Sequence, residues 1–295
     1  MFARVVRAAV VALSVLAIAV VPTPARADER VVIPDACTAT HPYDAGSSLV
    51  DLKSGIEANW GFRLTGTYWT DETYRPIVAV IWTTLDAISC TPYLDTLHAK
   101  VGTLELFATS IGGWVAGDYG LTRADAVSLD FPQLLTNFPT DPGHVSRLFV
   151  HEVTHAYTRD RSSNPPYWAD FTALYAKNGR FGSYGGSSSE TFSEVVGYYV
   201  ARCAANNPYT PSESAYYDYV KAEVFGGKEF GPALGQPLNC PTGTPAAPGV
   251  YDSANAAVQA AVADHEAAAE EIAMNGAALY GYESLTASGP SDSSQ

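Results

Sequence analysis

The chain has 295 residues, of which 17 are basic and 31 acidic, for a net charge of −14, and 47% of its residues are hydrophobic. That is enough apolar material for a sizeable core, and it excludes the apolar-poor composition of a disordered chain. The acidity argues against a nucleic-acid partner, because binding to phosphates needs a basic face.

Residues 1–27, "MFARVVRAAVVALSVLAIAVVPTPARA", begin with Arg4 and Arg7, continue as an apolar run and close on Ala25-Arg26-Ala27. This is the order of a secretory signal peptide, with cleavage expected after Ala27. Cleavage would remove three arginines and no acid, leaving 14 basic against 31 acidic residues, a net of −17. No later stretch is long and apolar enough to span a bilayer. A secreted, extracellular protein without a membrane span is the expectation, and a monomer is the simplest form of it.

All four cysteines, Cys37, Cys90, Cys203 and Cys240, lie beyond the signal. An even number in an exported chain predicts two disulfides with three possible connectivities. Proximity along the chain favours Cys37 with Cys90 and Cys203 with Cys240. A cysteine-ligated zinc has no close Cys-x-x-Cys pair to support it.

Residues 28–240 read as one domain. In "FRLTGTYW" and "TLELFATS" apolar and polar residues alternate as in strands, whereas "PIVAVIWTTLDAIS" and "PYLDTLHAK" carry helical spacing. "ADAVSLDF" (124–131) sets Val127, Leu129 and Phe131 against Ala126, Ser128 and Asp130, the pattern of a strand with one buried face. Helices are then expected over 142–159, 166–178, 188–204 and 212–224. Strands and helices followed by a run of helices read as α+β. Beyond a Pro/Gly/Thr linker at 241–249, an alanine-rich helix is expected over 250–281 and a disordered tail over 282–295.

The chemistry concentrates in "VHEVTHAY" (150–157). On a helix, residues four apart lie about 40° apart around the axis, so His151 and His155 project from one face. Phe149, Val150, Val153, Ala156 and Tyr157 fall on the opposite side and can bury. Two imidazoles at this spacing suit one Zn2+ ion, and Glu152 beside them is placed to act as general base and then general acid on an activated water. The bland alternative is a helical histidine pair without metal.

A catalytic zinc needs a third protein ligand and an open position. "SSSETFSEVVGYYVARC" offers Glu190 and Glu194, four apart and on one helix face, with Ser188 or Ser189 as cap and Phe192, Val195, Val196 and Tyr199 for packing. One carboxylate would bind the metal and the other hold a ligand histidine.

"HEVTHAYT" resembles the active-site helix of thermolysin-type zinc peptidases. "ETFSE" is more similar to the second motif of the anthrax toxin lethal factor-like peptidases, which include secreted Pro-Pro endopeptidases. The resemblance spans about residues 120–205. It implies a zincin-like fold, with a mixed sheet on the His-Glu-x-x-His helix, and a zinc metalloendopeptidase acting on an extracellular protein or peptide. It also implies Glu190 as third ligand, Glu194 as its supporting carboxylate, and Tyr184 in "RFGSYGGSSSE" as hydrogen-bond donor to the oxyanion. The toxin's N-terminal receptor-binding and decoy domains have no counterpart.

Other residues read as structural. His144 would lie near its helix start, aiding solubility or capping. Trp168, Tyr167 and Phe171 suit the core better than a cleft, and His41 and His98 have no partner at ligand spacing. Residues 124–131 are expected to be an edge strand that pairs with extended substrate. The rival function is an exported protein of the same fold that binds without turnover; an exopeptidase would need a terminus-capturing group, and none is evident.

Overall fold

The computed structural model describes residues 33–112, 116–182 and 186–240. The signal, linker, alanine-rich helix and tail expected from sequence, together with Tyr184, lie outside the described residues.

The first helix, α1 (Leu49–Trp60), is capped at both ends by its own sequence. The Ser48 side chain accepts the Asp51 N–H, and Gly61 at φ 72° ends the helix in the left-handed conformation. Strand β1 follows but covers only Arg63–Thr65. Gly66 (φ 90°) ends it where a β-carbon would stand 2.0 Å from the Ala108 carbonyl oxygen. The chain then turns through a 3₁₀ segment at Tyr68–Thr70, so the strand expected through "FRLTGTYW" stops halfway.

Helices α2 (Arg75–Ile88) and α3 (Tyr93–Val101) form where the apolar spacing placed them, and strand β2 (Glu105–Thr109) follows. Strand β3 (Gly117–Tyr119) and strand β4 (Ala126–Asp130) complete a four-stranded sheet in the order β1-β2-β4-β3. The β1-β2 and β2-β4 pairs are parallel, and β3 runs antiparallel to β4.

This order overturns the edge-strand expectation for 124–131. β4 is internal, flanked by β2 and β3, and every one of its residues is buried. Its second face carries Ala126 and Ser128, small enough to bury on both sides of a sheet, so the alternation did not mark a solvated face. The strand with one neighbour on this side is β3, three residues long and too short to show a pattern.

Asp130 caps the next helix, α4 (Phe131–Asn137), and also accepts the Ile111 N–H at 2.7 Å. Four helices follow: α5 (Pro142–Tyr157), α6 (Pro166–Asn178), α7 (Ser188–Val200) and α8 (Ser214–Tyr219), the last continuing as a π-turn over Val220–Val224. The fold is α+β with a small mixed sheet. No single helix among the described residues is long and apolar enough to cross a membrane.

Helix α5 is the centre of the packing, touching α2, α3, α4, α7, β3 and β4. Its apolar side, Phe149, Val150, Val153, Ala156 and Tyr157, is buried as the spacing predicts. Two buried hydroxyl pairs pin it, Thr84 to Ser146 at 2.9 Å from α2 and Tyr93 to Thr154 at 2.8 Å from α3. Trp168 and Phe171 of α6 pack with Phe192 of α7 in the core. Disulfides join Cys37 to Cys90 and Cys203 to Cys240, the connectivity that proximity favoured.

Candidate metal centre

The Asp141 side chain accepts the His144 N–H, and Pro142 occupies the first turn of α5. These are strong start signals, and they set the frame in which His151 and His155 share a face. Their Nε2 atoms stand 3.1 Å apart. Opposite them, the cap of α7 is Ser187, one residue before the serines favoured from sequence; its hydroxyl accepts the Glu190 N–H at 3.1 Å.

That cap puts Glu190 in the first turn of α7, facing α5. Its Oε2 lies 3.2 Å from His151 Nε2 and its Oε1 3.0 Å from His155 Nε2. The three side chains could hold a metal ion. Two ligands about 2.0–2.2 Å from one tetrahedral zinc stand roughly 3.3–3.6 Å apart, close to the observed separations. Burial acts to raise the Glu190 carboxyl pKa, but the charges and hydrogen bonds of His155 and His151 outweigh it and hold the group well below the ordinary carboxylate range. An ionised carboxylate between two imidazoles is a suitable donor set for a divalent cation.

Glu152 is 5% exposed and sits between the ligand face of α5 and β3. Burial pushes its carboxyl up; the two histidines oppose this, while Glu190 and Asp118 add to it. A carboxylate with a raised pKa takes a proton from water more readily than an ordinary surface carboxylate does, and as a buried acid beside the ligand face it is placed to pass that proton on, so both halves of an acid–base cycle are accessible.

Glu194 lies one turn along α7 from Glu190 and is 2% exposed. Its Oε1 accepts a 2.8 Å hydrogen bond from the Arg147 guanidinium and is 3.7 Å from His151 Nδ1, too long for a hydrogen bond. It therefore stands on the side of His151 away from the ligand cluster, and its direct partner is Arg147. Arg147 was missed in the sequence reading, although it lies one turn before His151 and is a cation on the site face of an otherwise weakly charged helix. His144 is also drawn in: its Nδ1 is 3.3 Å from Arg147, so the ring supports that guanidinium and is not the solubilising group expected.

The close approach of α5 and α7 that makes this possible depends on Gly197. A β-carbon there would stand 2.8 Å from the Arg147 carbonyl oxygen and 3.5 Å from His151 Cβ. No family model, curated protein or solved structure matches the chain.

Proposed function

We propose that this protein is a secreted zinc metalloendopeptidase of zincin-like fold, akin to the anthrax toxin lethal factor-like peptidases. The observation that carries the reading is the convergence of His151 Nε2, His155 Nε2 and the Glu190 carboxylate, all within 3.2 Å of one another, beside a buried Glu152. Two disulfides support export, because such bonds persist in oxidising compartments.

His151, His155 and Glu190 would hold the ion, and two nitrogens with one carboxylate oxygen suit zinc. Bound zinc would supply Lewis acidity, making a water acidic enough to lose a proton near neutral pH and polarising the scissile carbonyl. Glu152 takes the proton from the attacking water as the C–O bond forms. It then gives that proton to the amide nitrogen as the C–N bond breaks, so the leaving group departs as an amine.

β3 borders this site through Gly117 and is one of the two edges of the sheet among the described residues, so an extended peptide could add to it by backbone hydrogen bonds. The role first expected of 124–131 passes to this strand. Tyr184, which the resemblance makes a donor to the oxyanion, lies four residues before Ser188 in the sequence, outside the described residues.

The test is cleavage of a mixed peptide library by the purified mature protein beside Glu152→Ala, with zinc measured on both. Cleavage by the wild type alone, with zinc on both, supports the peptidase. Zinc on both without cleavage by either favours a binding protein, and absence of zinc from both removes the metal reading.

A further inference from the structure

We infer that Arg147 is a positioning residue of the metal centre, holding the Glu194 carboxylate behind His151 and thereby fixing the direction of the His151 ring. The inference rests on the metal-site reading above.

Arg147 is gripped from several sides. Its Nη1 donates to Glu194 Oε1 at 2.8 Å, its Nη2 is 3.3 Å from His144 Nδ1, and its guanidinium lies over the Tyr198 ring at 5.1 Å. Its stem runs against the position where Gly197 lacks a side chain, with Cγ 3.4 Å from that site. A planar cation held by a carboxylate, an imidazole and an aromatic face has little freedom to turn.

Glu194, in contrast, is buried and has few constraints of its own. Its Oε2 has no hydrogen-bond partner among the described residues, and Oε1 is the atom that Arg147 engages. The same Oε1 is the one that faces His151 Nδ1. At 3.7 Å that oxygen is beyond hydrogen-bond reach and acts as a negative charge facing the Nδ1 edge of the ring, which favours the proton on Nδ1 and leaves Nε2 for a metal. Arg147 decides where that charge stands. A carboxylate without this anchor could rotate about its side-chain torsions within the α5–α7 interface, and the ring would lose its reference.

The experiment compares the wild type, Arg147→Met, Arg147→Lys, Glu194→Ala and the Arg147→Met/Glu194→Ala double variant, all metal-free at the start. Zn2+ affinity is read by competition with a chromogenic chelator, and the visible spectrum of bound Co2+ reports ligand geometry. Circular dichroism and thermal unfolding of the metal-free proteins separate folding from binding. Arg147→Met keeps the stem and is expected to weaken Zn2+ binding by about 10-fold or more and to shift the Co2+ bands, in the range that supporting residues of metal ligands typically show. Arg147→Lys should recover part of the loss. In the Glu194→Ala background the same change should add little, because Arg147 acts through that carboxylate. Wild-type affinity and spectrum in Arg147→Met would overturn the inference while leaving the metal site intact, and so would an undiminished further loss in the double variant. A wild type that binds no Zn2+ would overturn the metal reading and this inference with it. If Arg147→Met does not fold, Arg147→Lys and Glu194→Ala decide: a folded Arg147→Lys whose affinity lies between those of the wild type and Glu194→Ala upholds the anchor, and wild-type affinity in Glu194→Ala overturns it.

Discussion

Gly117 on β3 touches the middle of the Glu152 side chain: a β-carbon added to it would stand 3.0 Å from Glu152 Cγ, 3.2 Å from the Ser128 carbonyl oxygen and 3.4 Å from Leu148 Cδ2. The Ser128 oxygen belongs to the sheet and cannot move aside, so the side chain that must yield is Glu152. Gly117→Val is expected to lower the cleavage rate at least about tenfold, since small displacements of reacting groups are costly, while zinc stays bound. Steady-state kinetics on a peptide substrate, with zinc content by atomic absorption, checks this; a normal rate would mean that β3 does not constrain the base.

Glu152→Gln should reduce the cleavage rate by about 10²- to 10⁴-fold, the usual contribution of a positioned acid–base group. It should also stabilise the metal-free protein. Because the folded-state pKa of Glu152 is raised, the native state binds an extra proton between the unfolded and folded values. The stability linked to that proton is complete below the ordinary value of 4.5 and is lost as pH rises through the folded value. Glutamine removes the dependence, so its advantage in melting temperature should be present at pH 7 and should vanish at about pH 4.

His144 works in the opposite direction. Burial first, and then the Arg147 charge, push its pKa from 6.5 down to about 3. Between these values the unfolded chain binds the proton that the native ring refuses, so stability falls as pH drops below 6.5 and goes on falling toward 3. The ring is only partly buried by area, so solvent moderates the effect. His144→Asn should make the loss between pH 6.5 and about 5 shallower, as read from urea midpoints across that range. An unchanged slope would count against a neutral buried ring.

Gly197→Ala places a methyl group 2.8 Å from the Arg147 carbonyl oxygen, inside the α5–α7 contact. Overpacking of this kind destabilises by about 1–3 kcal/mol. Since the displaced helix carries Glu190, zinc affinity should fall together with the denaturation midpoint. Loss of stability with unaltered zinc affinity would show that α7 can shift without moving its ligand.

The Cys37–Cys90 bridge closes a loop with a sequence separation of 53 and ties the N-terminal segment to the end of α2. Loop-closure entropy puts the effect of replacing both cysteines by serine at about 4 kcal/mol. A guanidinium unfolding curve measures it. None of the metal ligands lies within the loop that the bridge closes, so zinc stoichiometry at low denaturant should not change.

Much of the chain was legible as pattern. Helices α2, α3, α5, α6 and α7 appear close to where apolar spacing and start signals put them, and both disulfides join sequence neighbours. The helix expected over 212–224 instead divides into α8 and a π-turn, and that over 188–204 ends at Val200. Helices α1 and α4 and strand β3 were not anticipated, the last because three residues hold no period.

The sequence alone determined that two histidines and a glutamate share one face of a helix and that two further carboxylates share another, because helical spacing is local geometry. Only the tertiary structure decided how those faces meet. The Ser187 cap and the missing side chain at Gly197 bring Glu190 to the histidine nitrogens, and the same contact hands Glu194 to Arg147. Strand order was likewise undecidable in advance: β4 is internal because β3, only three residues long, pairs along it, and pairing between strands is a choice that alternation within one strand does not record.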